Sequence, residues 1–255
     1  MDITTTVLLA FAFSISLNLM MYGIAYLIQT DKLTDLSYSL TFIIIALTGY
    51  FLISAKDPVD NILLILILVW AFRLGTYLFV RINRIGHDAR FNDIRNNPVS
   101  FFGFWFMQGI SVAIIMIFYI LAIKTEAKEV NGLTMAFSGL AMLFLSLEAL
   151  SDYQKYKFKL KNPGEFMTKG LWKKLRHPNY TGEIFFWLSL SCISAVHLKG
   201  TWLLLNFVSP LWIACIIIFF SGIPPLEKIW KEKYKENKAF KEYWNSSWRL
   251  IPFLY

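Results

Sequence analysis

The 255-residue chain is short of charge and of cysteine. Charged residues make up 16% and apolar residues 56%, against ~25% and ~45–50% in soluble domains. A mean hydropathy of +0.51 agrees. These figures exclude a disordered chain or a collagen, and a membrane protein is the reading that fits them. The two cysteines, Cys192 and Cys215, sit inside apolar runs, which excludes a disulfide-stapled scaffold and a cysteine metal cluster. No two glycines are spaced i, i+2, so there is no GxGxxG loop, and neither a P-loop nor an HExxH helix occurs. His87, His177 and His197 are far apart in sequence, so no metal site is expected.

Long apolar runs are what the chain does have. A membrane-spanning helix needs ~20 such residues. Seven runs qualify, at about 6–28, 36–54, 61–80, 99–123, 133–150, 182–198 and 201–223. The first follows Met1-Asp2 without basic residues, and its length marks it as a retained span, not a cleaved signal peptide. There is no internal repeat and no low-complexity linker, so residues 1–255 read as a single domain. The expected fold is all-α, a polytopic membrane protein with seven transmembrane helices.

Orientation follows from the loop cations. With the N-terminus outside, the inner segments hold Lys32, four arginines in 81–98, eight Lys or Arg in 151–181 and seven beyond 224. Lys56, Lys124, Lys128 and Lys199 fall outside, and Arg73 lies within the third span. The asymmetry puts the C-terminus in the cytosol. The net charge of +8 is thus gathered on one face. Three uses are open to it: the topology signal with attraction to anionic lipid, a pocket for a polyanionic cofactor, or nucleic-acid binding. The last is the poorest, because these cations border membrane spans. Lys155, Lys157, Lys159 and Lys161 alternate with Tyr156, Phe158 and Leu160. That pattern would separate onto two sides of an extended segment but spread around a helix; snorkelling at the interface explains it.

Ionisable residues near or within spans are costly to bury and often functional. Asp35, Arg73, Glu148 and Glu183 stand out. The loop Arg84-Ile-Gly-His-Asp88-Ala-Arg90-Phe-Asn-Asp-Ile-Arg95 mixes both signs, either as solvated charge or as guanidinium forks held for phosphate.

The most specific run is Leu175-Arg-His-Pro-Asn-Tyr-Thr-Gly-Glu183, with Trp187 one turn further on. It resembles the cofactor segment of the steroid 5-alpha-reductase superfamily, especially its bacterial branch. A bare His-Pro-x-Tyr-x-Gly also occurs in isoprenylcysteine and phospholipid methyltransferases, but the set Asn179, Glu183 and Trp187 is similar to the reductases. So are Arg249-Leu-Ile-Pro252-Phe-Leu-Tyr255 at the end, Asp152-Tyr153 with Pro163-Gly164-Glu165 (two residues further apart here), Arg73-x-x-x-Tyr77, and Thr34-Asp35-Leu36.

What the resemblance implies is an enzyme that reduces a 4-ene-3-keto steroid or similar lipophilic enone with NADPH. The cofactor site would face the cytosol, and substrate would enter from the bilayer. Asn179, Glu183 and Trp187 would line the nicotinamide and ribose, and Tyr180 would also bind the cofactor. Glu148, Asp152 and Lys161 would contact the rest of the cofactor, Glu148 standing where the family has asparagine and Lys161 where it has arginine. Arg84, Asp88, Arg90 and Arg95 match the branch's phosphate-binding loop. Catalysis would fall to Asp35 and Trp70, at the positions of the family's carbonyl-activating glutamate and tyrosine. An indole N–H can donate a hydrogen bond but cannot titrate, and an acid donates only while it keeps its proton. The alternative is an S-adenosylmethionine-dependent membrane methyltransferase, whose paired tail glutamates are missing here, where a single Glu227 precedes Lys228.

Overall fold

The computed structural model describes residues 2–85, 94 and 97–252. Asp88, Arg90 and Arg95, expected at a phosphate loop, lie outside the described residues. The helices are α1 (Ile3–Leu27), α2 (Thr34–Leu52), α3 (Pro58–Ile85), α4 (Pro98–Ile115), α5 (Ile117–Lys124), α6 (Gly132–Lys161), α7 (Pro178–Ala195), α8 (Gly200–Asn206), α9 (Val208–Cys215), α10 (Ile223–Lys233) and α11 (Lys238–Ser246). A 3-10 turn covers Gly170–Lys173 and a π turn Ile216–Phe220, and no strand occurs among the described residues.

Local chemistry sets several of these starts. Asp2 caps α1 by accepting from the Thr5 N–H at 2.6 Å, Asn97 caps α4 with Pro98 in its first turn, and Asn237 caps α11 by accepting from Phe240 N. Each satisfies an amide that the first helical turn leaves without a partner.

Among the described residues, six helical segments are long and apolar enough to cross a membrane: Ile3–Leu27, Thr34–Leu52, Pro58–Arg84, Pro98–Lys124, Gly132–Lys161 and Gly200–Lys233. Leu8, Leu9, Phe13, Met20 and Ile24 are all exposed along α1, an arrangement that a lipid solvent tolerates and water does not. The chain is an integral multi-pass membrane protein. The expected run at 182–198 falls on α7, whose opening Pro178-Asn-Tyr-Thr-Gly-Glu183 is polar, so its apolar stretch is shorter than that of the six. The lysine ladder is helical, since α6 continues to Lys161. Its lysines spread accordingly: Lys155 lies over the rings of Trp172 and Trp230, and Lys157 over Tyr153.

The residues form two compact units, Met1–Ser138 with Leu190–Trp212, and Gly139–Ser189 with Ile213–Tyr255. In the first, α1 packs on α4 and α2 on α3. Gly109 makes the α1–α4 approach possible, since a Cβ there would stand 2.9 Å from Ile15 Cα. Buried polar side chains bind these helices together. Asn18 Nδ2 donates to Thr41 Oγ1 at 3.2 Å, and Gln108 Nε2 to Asn18 Oδ1 at 2.8 Å. Ser209 inserts into the helix ladder, accepting from Phe118 N at 3.1 Å and donating to Ile114 O at 3.1 Å. It thereby replaces the direct bond between those two backbone groups, the kind of insertion that breaks a helix, and α4 gives way to α5 at Met116 between them.

At one end of this unit Lys128, 3% exposed, pairs with Asp57 at 3.1 Å and with Asp60, fully buried, at 3.2 Å. Removing one partner of a buried ion pair strands the other charge and costs ~3–5 kcal/mol. Lys128→Ala is therefore expected to lose stability on that scale, and adding Asp60→Asn to recover part of it, as read by thermal melting in detergent.

Candidate functional site

The second unit is built around residues 172–183. Pro178 opens α7, which places Arg176 and His177 in the preceding turn and Asn179, Tyr180 and Glu183 in the first turns of the helix. Gly182 faces α6. A Cβ there would stand 2.7 Å from Phe144 O and 2.8 Å from Glu148 Cβ, so glycine is what lets α7 reach α6. Phe144 and Phe185 stack at 5.0 Å beside that crossing.

The crossing brings together part of the expected site. Asp152, one turn beyond Glu148 on α6, accepts a hydrogen bond from Asn179 Nδ2 at 3.2 Å. Glu148 is 2% exposed and Asp152 7%. Asn179 Oδ1 is buried and has no hydrogen-bond partner among the described residues. Glu183 is half-buried and Trp187 fully buried, the latter edge-on to Phe186 at 5.6 Å. Lys161 is exposed at the end of α6, about 13 Å along the helix axis from Asp152. It could meet only a far portion of any ligand held at Asn179.

Behind this set lies a charged cluster that sequence reasoning missed. Glu227 of α10 is buried. Its carboxylate accepts from Arg249 Nε at 3.1 Å on Oε1 and pairs with Arg249 Nη2 at 2.8 Å on Oε2. Arg176 Nε stands 3.5 Å from Oε1 and His177 Nε2 3.2 Å from it. The His177 ring is stacked between Tyr180 and Trp230, at 5.5 and 5.2 Å. Arg176 Nη1 donates to the carbonyls of Trp244 at 2.9 Å and Ser247 at 2.6 Å, with its guanidinium over the Trp244 ring. The C-terminal segment is tied to the motif at two further points. Arg176 N donates to Trp248 O and Trp248 N to Lys174 O, both at 2.8 Å, and Thr181 Oγ1 donates to Leu250 O at 2.7 Å.

The first unit holds the remaining expected residues. Asp35 Oδ2 lies 3.9 Å from Arg81 Nη2, and an ion pair uses the carboxylate form, which accepts but does not donate. Trp70 is fully buried, edge-on to Phe42 at 5.0 Å and to Tyr38 at 6.4 Å. Arg84 is exposed on the last turn of α3.

A family described as a protein of unknown function, DUF1295, matches residues 21–247. The chain belongs to the DUF1295 family. A curated relative, an uncharacterized protein of Schizosaccharomyces pombe, is 26% identical over 84% of this chain and 70% of its own length. No solved structure matches. The DUF1295 match takes in both Asp35 and Glu227 and stops short of Arg249.

Arg176 and His177 stood inside the motif, but nothing local announced their partners. Glu227 and Arg249 are 22 residues apart and meet only because the tail folds back along residues 174–181. Burial pushes the His177 pKa from 6.5 down to about 4, outweighing the opposing bond to Glu227. The neutral ring then donates its Nε2–H to Glu227, the tautomer this network requires. Because the folded value lies below the unfolded one, the unfolded chain binds the extra proton. His177's contribution is complete above about pH 6.5 and is lost as pH falls toward about 4, on the order of 3 kcal/mol. Melting in detergent should show that decline in the wild type and a flatter profile for His177→Phe.

Proposed function

We propose that this DUF1295 protein is an NADPH-dependent reductase of a lipophilic enone, of the steroid 5-alpha-reductase type, with seven spans, an outer N-terminus and a cytosolic cofactor site. The observation that carries the reading is the Asp152–Asn179 pair at the Gly182 crossing, with Asn179 Oδ1 buried and lacking a partner among the described residues. A buried acceptor left in that state costs ~1–3 kcal/mol, which an N–H of a ligand placed there would recover. A carboxamide N–H and ribose hydroxyls are such donors, so the residues present fit the neutral end of a dinucleotide. Glu148, Asp152 and Glu183 would repel phosphates, which suit Lys161 at the exposed end of α6.

NADPH, when bound, supplies the hydride. The chain's own residues must orient the cofactor, exclude water and stabilise charge on the substrate. As a hydride adds to the β carbon of an enone, the π electrons move to the carbonyl oxygen, and a proton must then reach the α carbon. A hydrogen-bond donor aimed at that oxygen is worth ~2.7–4 kcal/mol in a water-poor site. Trp70 Nε1–H is one such donor. Asp35, ion-paired with Arg81, serves more readily as the acceptor that holds a relay water than as the acid itself. The apolar, aromatic-rich chain suits a substrate that arrives through the lipid.

The test is thermal melting of the detergent-purified protein with NADPH, NADH or S-adenosylmethionine. A ligand at a hundred times its Kd stabilises by ~2.7 kcal/mol. NADPH is expected to raise Tm, and Asn179→Leu to abolish the rise while the protein stays folded. A response to S-adenosylmethionine alone would replace the reductase with a methyltransferase.

A further inference from the structure

We propose that the groove along α10 seats the phosphate headgroup of an anionic phospholipid. This rests on the chain being a membrane protein and not on the reductase reading. The groove measures about 530 Å³ and is lined by Pro224, Glu227, Lys228, Lys231, Glu232 and Arg249, within the ~300–1,000 Å³ of small-molecule sites. Spacings of three and four residues put Pro224, Glu227, Lys228, Lys231 and Glu232 on one face of the helix.

The charge inventory favours an anion. Glu227 is engaged by Arg249 on both oxygens and by His177 and Arg176 on one. Glu232 pairs with Lys235 at 3.3 Å. Lys231 is held over the Trp244 ring at 4.8 Å, which fixes its ammonium at the groove. Lys228 is exposed one turn earlier on the same face. The surplus is therefore two lysines flanking a neutralised Glu227–Arg249 pair.

Depth identifies the source of the phosphate. The π turn before α10 carries Phe219 and Phe220, each 67% exposed, on an apolar stretch that belongs to a membrane-crossing segment. Over about three turns the chain passes from exposed aromatic rings on the membrane-crossing stretch to Lys228 and Lys231. A two-part ligand with an apolar tail and an anionic head matches that order, and Lys side chains at such a boundary reach for headgroups.

The experiment places the full chain in nanodiscs of phosphatidylcholine, with or without phosphatidylglycerol, and counts lipids retained after mild detergent extraction by native mass spectrometry. Phosphatidylglycerol should be retained in preference to phosphatidylcholine. Lys228→Gln with Lys231→Gln should reduce that preference about thirtyfold, and Lys228→Gln alone about fivefold. Lys238→Gln with Lys241→Gln, an equal charge loss on α11, should leave it unchanged. An undiminished preference in the Lys228 variants would overturn the proposal. So would displacement of the lipid by inorganic phosphate, which would make free phosphate the occupant, or by NADPH, which would give the groove to a dinucleotide.

Discussion

A buried carboxylate must be matched by cations or donors, because leaving it bare costs several kcal/mol. In this protein that requirement falls on Glu227, and much of the second unit follows from how it is met. Arg249 covers both oxygens, which fixes where the C-terminal segment lies. Arg176 and His177 complete the shell, which fixes the turn before α7. The stacked rings of Tyr180, His177 and Trp230 then hold the start of that helix in rotation. The Asn179 carboxamide is displayed toward Asp152 by a scaffold that one acid on a distant helix helps to organise.

The first unit meets the same constraint in a different solvent. Lipid offers no hydrogen bonds, so polar side chains within its helices find each other or the backbone. Asn18, Thr41 and Gln108 do so across α1, α2 and α4, and Ser209 does so by entering the helix ladder between Ile114 and Phe118. Lys128 with Asp57 and Asp60 is the charged version at one end. Such pairs hold loops in place without adding apolar contact, which would gain little where the surroundings are themselves apolar.

The two halves of the proposed chemistry differ in how closely the geometry supports them. At the cofactor end, hydrogen bonding, burial and the Gly182 approach converge on one small region. At the carbonyl end, the departures visible in the sequence persist in the structure: Asp35 is engaged by Arg81, and Trp70 is packed into an aromatic cluster with Phe42 and Tyr38. In the proposed reaction, activation relies on a non-titrating donor and a water relay, which favours a substrate whose carbonyl is already strongly polarised.

The sequence by itself determined the membrane as solvent and the helical class. These are properties of composition and of local spacing: a low share of charged residues and apolar runs of membrane length. Only the tertiary structure decided that Asp152 would meet Asn179, that Glu227 would gather Arg176, His177 and Arg249, and that Lys128 would neutralise two acids. Those pairings join residues from 22 to 71 positions apart. No local pattern encodes which of many acids a given cation will reach. That choice is made by packing, which brings a few distant groups within reach of one another and buries them away from the rest.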